Sequence, residues 1–396
     1  MSHIRDVGIV LPIYKQKRSY VRKAIHSILK QKYKYFKLVI VIDGAPKHIE
    51  KLVRREVKRD PRVRIIVQKN KGVAAALNRG FRSLSRRKHI RYLTWVSSDN
   101  IYYPDYLRKL RRKLRHSPAK VGLAYSTFKH IGTKGEAIYD KEVQTGFGIW
   151  QDQPVENLPT ICFIGTSFMY KRRYADKIGP YRLEPVEDYD YWLRLTDHCG
   201  IAYVHEELMG YRVASDYSIS KTLSSSPEQH RRWHYAFQLT KKEALARKGI
   251  PVQTTIIVPV SQVTDTVMQR LEALYEQYYS NFEVWIIDGT GDEQARATLS
   301  SISDPRVAIL PVAEDAHTAA RRIAAESTTP YVLFYDAQQA GACPDLQALH
   351  DHLTAAPDNI ASVKFDHAIG DMITQTALTP PVGCDELFKR QALQTR

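Results

Sequence analysis

At 396 residues, with 43% hydrophobic and 10% aromatic content, the chain exceeds what one hydrophobic core usually spans and has the make-up of an ordinary globular protein of two domains. Its apolar runs are strand-length, well short of the ~20 residues of a bilayer-crossing helix, and no apolar stretch follows the N-terminus as a signal peptide requires, so the expected location is cytoplasmic. Formal net charge is +17 but uneven: 50 of the 59 Lys and Arg and only 23 of the 42 acids precede residue 251, which leaves about +27 before that point and about −10 after it.

In chain order, residues 7–13 form an apolar strand that carries Pro12 and leads to Tyr14, followed by a helical pattern at Val21, Ile25, Ile28 and Leu29. Residues 36–44 form a second strand ending in Asp43-Gly44. Strand, helix, strand at this spacing is a parallel βαβ unit with a right-handed crossover. Open parallel sheets bind ligands at the carboxyl ends of their strands, where Pro12, Asp43 and Asp99 fall. A carboxylate such as Asp43 can accept from the imide N–H of uracil or thymine, although Asp-Gly is also a common turn.

Residues 68–80 run from a loop into a small-residue helix. Gly72 and three alanines allow close packing on a sheet, Lys69 or Lys71 can approach a diphosphate, and Asn78 is a polar group in a packed helix. Residues 90–104 read as a strand ending in Ser97-Ser98-Asp99-Asn100, after which Pro104 opens a helix through Leu107, Leu110 and Leu114. Asp99 there is either part of a helix-capping turn or a ligand for Mg²⁺ or Mn²⁺, which bind through one or two carboxylates when phosphate oxygens complete the shell. Along the next helix Arg108, Arg111, Arg112 and Arg115 line one side, as a phosphate-binding stripe would. Glu187, Asp188 and Asp190 precede an amphipathic helix, where an acid either favours the helix dipole or deprotonates an acceptor hydroxyl. Ser226-Pro227 then opens a helix that runs through Trp233 and Phe237 until Gly249 and Pro251 stop it.

Beyond that helix the pattern repeats. Residues 255–260 match the first strand, 282–289 the second with Asp288-Gly289 at its end, and Asp304-Pro-Arg-Val matches Asp60-Pro-Arg-Val. Val267, Leu271 and Leu274 supply the intervening helix. Gln338 takes the place of Asp99, a poorer ligand for a hard cation. Gly72 corresponds roughly to His317 and Asn78 to Ile323, and residues 387–390 match 169–172. No Glu-Asp segment follows, so residues 251–396 are expected to be a degenerate, truncated copy for packing, dimerisation or acceptor docking, in which Asp288 retains the capacity to meet a nucleotide. The expected organisation is a domain at 1–225, a helical linker at 226–250 and the second copy at 251–396. Cys162, Cys199, Cys343 and Cys384 are scattered without metal-ligand spacing and read as reduced thiols.

The order of these motifs resembles family 2 glycosyltransferases: Pro12-Ile-Tyr14, Asp43, Asn70-x-Gly72 with Asn78, Ser97-Ser98-Asp99, Gly165-Thr-Ser-Phe, Lys171-Arg-Arg, Glu187-Asp188 with Trp192-Leu-Arg194, and Tyr211-Arg212. The resemblance spans residues 5–221. It implies a GT-A fold, a Rossmann-like α/β architecture with a mostly parallel sheet covered on both faces, here duplicated, and inverting transfer from a UDP- or dTDP-linked sugar to a hydroxyl in surface polysaccharide or glycoconjugate synthesis. By the same resemblance Pro12, Tyr14, Asp43, Asn70, Gly72, Asn78, Ser98 and Asp99 bind the nucleotide, Asp99 holds the Mn²⁺ or Mg²⁺ cofactor, Asp188 is the base and Glu187 orients the acceptor. Ser97 departs from the family's Asp-x-Asp motif, Gly44 replaces a second acid, and no histidine follows Tyr211-Arg212, where Asp216 is a substitute. The implied partners are a nucleotide-sugar donor and a glycan, lipid-linked or protein acceptor, with the inner membrane face and a homodimer as further contacts. A silent nucleotide-sugar-binding or scaffold protein is the alternative. Nucleic-acid binding has the basic charge in its favour but no recognised module.

Overall fold

The computed structural model describes residues 4–213, 215, 223, 225–277, 279–338, 343–357, 362–366, 371–375 and 386–390. They separate into two compact units, Met1–Ala236 and Phe237–Arg396. The first runs β1 (Val7–Ile13), α1 (Arg18–Leu29), β2 (Phe36–Asp43), α2 (Lys47–Glu56), β3 (Val63–Gln68), α3 (Val73–Ser85), β4 (Tyr92–Trp95), β5 (Ile101–Tyr102), α4 (Tyr106–His116), β6 (Val121–Ser126), β7 (Lys129–Ile131), α5 (Lys141–Trp150), β8 (Phe168–Lys171), α6 (Arg172–Ile178), α7 (Glu187–Thr196), β9 (Gly200–Val204) and β10 (Met209–Arg212). Helix α8 (Pro227–Arg247) crosses the division, with Ser226 Oγ accepting from Gln229 N as its N-cap.

The main sheet has the order β3-β2-β1-β4-β8-β6-β9, with β8 antiparallel to both neighbours. Strands β1 and β2 are almost wholly buried because helices cover both faces of a parallel sheet, which explains their near-continuous apolar sequences. Val21, Ile25 and Ile28 of α1 and Leu107, Leu110 and Leu114 of α4 join one core against it. A small sheet, β5-β10-β7, stands beside the carboxyl end of β4.

The second unit contains β11 (Thr254–Val260), α9 (Asp265–Tyr275), β12 (Phe282–Asp288), α10 (Glu293–Leu299), β13 (Val307–Pro311), α11 (Ala316–Ala324), β14 (Tyr331–Phe334), α12 (Leu346–Ala355), β15 (Ser362–Asp366), β16 (Asp371–Gln375) and β17 (Glu386–Lys389). Its order, β13-β12-β11-β14-β17-β15-β16, reproduces the first through the antiparallel strand beside β14. The duplication is therefore structural as well as sequential. Its register is also shared: Tyr92 faces Lys171 across β4 and β8, and Tyr331 faces Lys389 across β14 and β17.

The Asp-Pro-Arg repeat proves to be a clamp ahead of the third strand. Arg62 donates to both carboxylate oxygens of Asp60 and to the Leu29 carbonyl, and its guanidinium lies 4.5 Å from the Phe36 ring centroid. Arg306 does the same with Asp304, the Tyr275 carbonyl and the Phe282 ring at 4.2 Å. The helix correspondence needs a shift of two residues. Ala76, Leu77 and Gly80 are among the buried positions of α3, and Ala319, Ala320 and Ile323 share their spacing among those of α11. Gly72 thus matches Asp315 rather than His317, and Asn78 matches Arg321 rather than Ile323, because the second copy's connections shorten along the chain.

Candidate active site

Three strand ends assemble the site. Asp43, the last residue of β2, is buried; its Oδ1 accepts from Gln68 Nε2 at 2.7 Å and from the Lys71 main chain at 3.0 Å. Its Oδ2 has no partner among the described residues. The loop that brings Lys71 there passes so close to Gly44 (φ +70°) that a Cβ would lie 2.7 Å from the Asn70 nitrogen. Glycine at 44, in place of the second acid of the family pattern, is thus required by the turn. Lys69, Asn70 and Lys71 are exposed, Asn70 accepting at 3.3 Å from Gly72 N. Pro12, partly buried, and Tyr14, 43% exposed, lie at the end of β1, and Lys15 stacks over the Tyr14 ring.

Beyond β4, Asp99 is buried and both carboxylate oxygens are engaged: Ser97 Oγ donates to Oδ1 at 2.6 Å and Gln16 Nε2 to Oδ2 at 3.3 Å. Ser98 is partly exposed beside it. Arg212 fixes this turn from behind, donating from Nε to the Asp99 carbonyl at 2.9 Å while its main-chain N–H donates to Asn100 Oδ1. That arginine is itself 1% exposed and lies over the Tyr20 ring at 4.1 Å. Asp216, the suggested stand-in for the missing histidine, lies outside the described residues. Among the described residues no three or more His, Cys, Asp or Glu side chains are grouped so as to hold a metal ion between them. The Asp99 carboxylate, with the Ser97 hydroxyl beside it, still suits a Mg²⁺ or Mn²⁺ ion whose remaining ligands are diphosphate oxygens and water.

Asp188 is tied to the same strand. Trp95, the last residue of β4, donates its indole Nε1–H to Asp188 Oδ1 at 2.8 Å. Asp188 is partly exposed in the first turn of α7, whereas Glu187 beside it is buried. Burial pushes the Asp188 carboxyl well above its usual range, the Glu187 charge pushes it further, and the Trp95 donor opposes both. Burial, then the Glu184 charge, lifts Glu187 to about 7. Its Oε2 has no hydrogen-bond partner among the described residues.

Other acids and amides in these segments hold the scaffold. Asp190 is fully buried between Arg182 and Arg194, and Arg194 also donates to the Ile178 and Pro180 carbonyls, which fixes the loop leading to α7. Asn78 is corrected from nucleotide ligand to positioning residue: its amide donates to the Tyr181 carbonyl and accepts from the Tyr181 N–H, both at 2.8 Å, so both polar ends are occupied. Gly72, with φ +88°, is the N-cap of α3 and meets Glu184, whose Oε1 would lie 2.5 Å from a Cβ there. Glu184 Oε1 accepts from Ala74 N at 2.7 Å and so caps α3 from more than a hundred residues away. The expected arginine stripe on α4 is likewise corrected: Arg111 turns inward to pair with Asp6, and Arg108 pairs with Asp105. Gln16, Trp95, Glu184 and Arg212 enter the site through such long-range contacts. Only Arg212, next to Tyr211, had carried a motif signal.

In the second unit Asp288 is fully buried and accepts from Thr290 N, Thr290 Oγ1 and Arg296 Nε. Burial pushes its carboxyl up, but those hydrogen bonds and the Arg296 charge outweigh burial and hold it below the usual range. The nucleotide contact expected of Asp288 therefore meets a carboxylate already paired within its own turn. Counted on from the last paired residues of β4 and β14, Trp95 and Phe334, Asp336 takes the position of Ser97 and Gln338 that of Asp99. Asp315 caps α11 from its own N-terminus, where the first unit uses Glu184.

The model of the family described as "Glycosyl transferase family 2" matches residues 8–179 and again 255–379. An uncharacterised glycosyltransferase of Rickettsia conorii is 22% identical over 371 residues, an alignment covering 83% of this chain and 60% of that protein. The chain thus spans well under two thirds of that relative's length. A putative teichuronic acid biosynthesis glycosyltransferase of Bacillus subtilis, TuaG, is 25% identical over 213 residues, 53% of this chain and 80% of that one. Among solved structures, S. aureus TarS 1-349 in complex with UDP-GlcNAc aligns with a TM-score of 0.46 at 13% identity, over 61% of this chain and 71% of that chain.

Proposed function

The chain belongs to glycosyl transferase family 2, and on that premise we propose that its first unit transfers a sugar, with inversion, from a UDP- or dTDP-linked donor to a hydroxyl acceptor. The observation that carries this reading is the Trp95–Asp188 hydrogen bond, because it ties a carboxylate of raised proton affinity to the strand whose end carries Asp99. Asp43 Oδ2 accepts the imide N–H of the base, and Asp99 is the residue that would hold a Mn²⁺ or Mg²⁺ ion. When bound, the ion supplies Lewis-acid neutralisation of the charge on the departing nucleoside diphosphate. Ionised Asp188 takes the acceptor hydroxyl proton as that oxygen attacks the anomeric carbon, and Glu187 sets the acceptor's orientation. Asn78, Arg194 and Arg212 act through other groups: they fix the Tyr181 segment, the approach to α7 and the Asp99 turn.

The relatives' names support envelope or surface polysaccharide synthesis as the setting, with a glycan, lipid-linked or protein acceptor at the inner membrane face. No helix among the described residues is long and apolar enough to cross a membrane. A panel of nucleoside diphosphates with and without Mn²⁺, read by thermal shift, tests the donor site; stabilisation by UDP or dTDP and not by GDP or ADP is expected. Nucleotide-sugar turnover assayed on the same protein tests catalysis. Binding without turnover across UDP- and dTDP-sugars would replace the transferase reading with a silent sugar-nucleotide-binding protein, the alternative that Ser97 favours.

A further inference from the structure

Trp95 and Asp99 mark the carboxyl end of β4; the other end of the same strand carries a separate feature. A concave site of 440 Å³ opens there, lined by Lys88, Arg91, Lys171, Arg172, Arg173 and Asp176 with the Ile90 and Tyr92 backbone region between them. Topology makes the cluster local. Lys171 faces Tyr92 across the antiparallel β4–β8 pair, and Arg172 N donates to the Arg91 carbonyl at 2.8 Å. The β4 segment between Tyr92 and Trp95 puts about 10 Å between this site and the indole that holds Asp188.

Five cations share this hollow with one carboxylate, and that carboxylate is already used: Asp176, 59% exposed, pairs with Arg172 at 3.3 Å. Arg172 also donates to the Arg87 and Ser85 carbonyls, and Arg173 to the Ala119 carbonyl. The side chains of Lys88, Arg91 and Lys171 have no acceptor among the described residues. Like charges held this close repel, and burial together with Arg173 depresses the Lys171 ammonium. On β2, burial, then Arg5 and Arg87, depress Lys37, while Asp60 opposes them and the Pro61 carbonyl accepts from its ammonium. A fold that gathers unpaired cations in a hollow, without a carboxylate to balance them, has the electrostatics of an anion site.

We propose that this hollow is a second ligand site, distinct from the candidate active site, that binds a phosphate group bearing two or more negative charges. The Arg91 guanidinium supplies a planar fork for two phosphate oxygens, while Lys88 and Lys171 act as point charges on the remainder. A single carboxylate ligand would leave most of this positive charge unbalanced, which is why the charge count favours an oligophosphate or a phosphomonoester.

The test uses the full chain and inorganic tripolyphosphate as the probe, titrated by calorimetry at low and moderate salt. The triple variant Lys88→Gln/Arg91→Gln/Lys171→Gln is expected to lose roughly tenfold or more in affinity at low salt, with a melting temperature no lower than that of the native chain and a shallower salt dependence. The single variant Asp99→Asn should keep this binding event, which separates it from any occupancy of the donor site. A sedimentation arm with phosphatidylcholine vesicles containing phosphatidic acid identifies the source: co-sedimentation lost in the triple variant assigns a lipid headgroup, and its absence alongside tripolyphosphate binding assigns a soluble phosphate. The proposal is overturned if neither probe binds, if the triple variant binds both as the native chain does, or if duplex DNA binds through the same residues more tightly than either probe.

Discussion

The two units share a sheet order and a strand clamp, yet they differ wherever the first unit assembles its candidate site. Arg62 and Arg306 make the same contacts to an aspartate, a preceding helix carbonyl and a strand phenylalanine. By contrast, Asp43 leaves one oxygen unengaged, whereas Arg296 and Thr290 hold both oxygens of Asp288. Asp99 becomes Gln338, and the carboxylate that caps α3 from a distant segment becomes a local cap, Asp315, on α11. Features that recur therefore belong to the fold, and features confined to the first unit are the better guide to its chemistry.

The largest expected effect breaks the units apart by function. Asp188→Asn should lower transfer by about 10²–10⁴-fold, the usual contribution of a general base, while Asp288→Asn leaves turnover unchanged. Initial rates with the preferred nucleotide sugar measure both, and a comparable loss from Asp288→Asn would dissolve the distinction. The shared clamp should sharpen the comparison in the opposite direction. Arg306 is 2% exposed and Arg62 16%, so Arg306→Ala, which leaves Asp304 buried without its partner, should cost about 3 kcal/mol, and Arg62→Ala about 1–2 kcal/mol. Chemical denaturation followed by a probe in each unit reads these separately; equal losses would mean that burial does not set the clamp's contribution.

Glu187 makes the first unit's stability depend on pH through a raised carboxyl, whereas Asp288 of the second unit is held below the usual range. Below pH 4.5 its carboxyl is protonated in both folded and unfolded chains and contributes nothing. Between 4.5 and about 7 the unfolded chain releases the proton and the folded one keeps it, so stability falls as pH rises through that window and levels off above it. Glu187→Gln should remove the Glu187 share of the fall, leaving the share that the raised Asp188 carboxyl contributes, and add on the order of 1–3 kcal/mol above pH 7. Denaturation midpoints at pH 4.5 and 8 check this; a variant with the native slope would place the linkage elsewhere. The smallest effect concerns rate. Because the base must be ionised, kcat/KM should rise with pH on an acidic limb well above the usual carboxylate range. Trp95→Phe removes the donor that favours ionised Asp188 and should move that limb to higher pH. A limb that stays in place would show that the indole only packs.

Much of this was legible in the residues alone. Apolar strands that lead to Pro12, Asp43 and Asp99, the helices between them and the second copy follow from periodicity, because burial on both faces of a parallel sheet forces long apolar runs. Likewise, the Ser226 cap and the match of residues 387–390 to 169–172 needed only local pattern and spacing. What sequence could not decide was which polar groups would be consumed by the fold. Asn78 looked like a ligand until Tyr181 occupied both ends of its amide; Arg111 looked free until Asp6 faced it; the helix correspondence drifted by two residues because loop lengths are not fixed by strand pattern. Each of those partners lies about a hundred residues away, as do Trp95 from Asp188 and Glu184 from Ala74. A hydrogen bond or a shifted carboxyl is set by distance and desolvation in three dimensions. Periodicity therefore determined the sheet and its duplication, and tertiary packing alone decided which carboxylates remain available for chemistry.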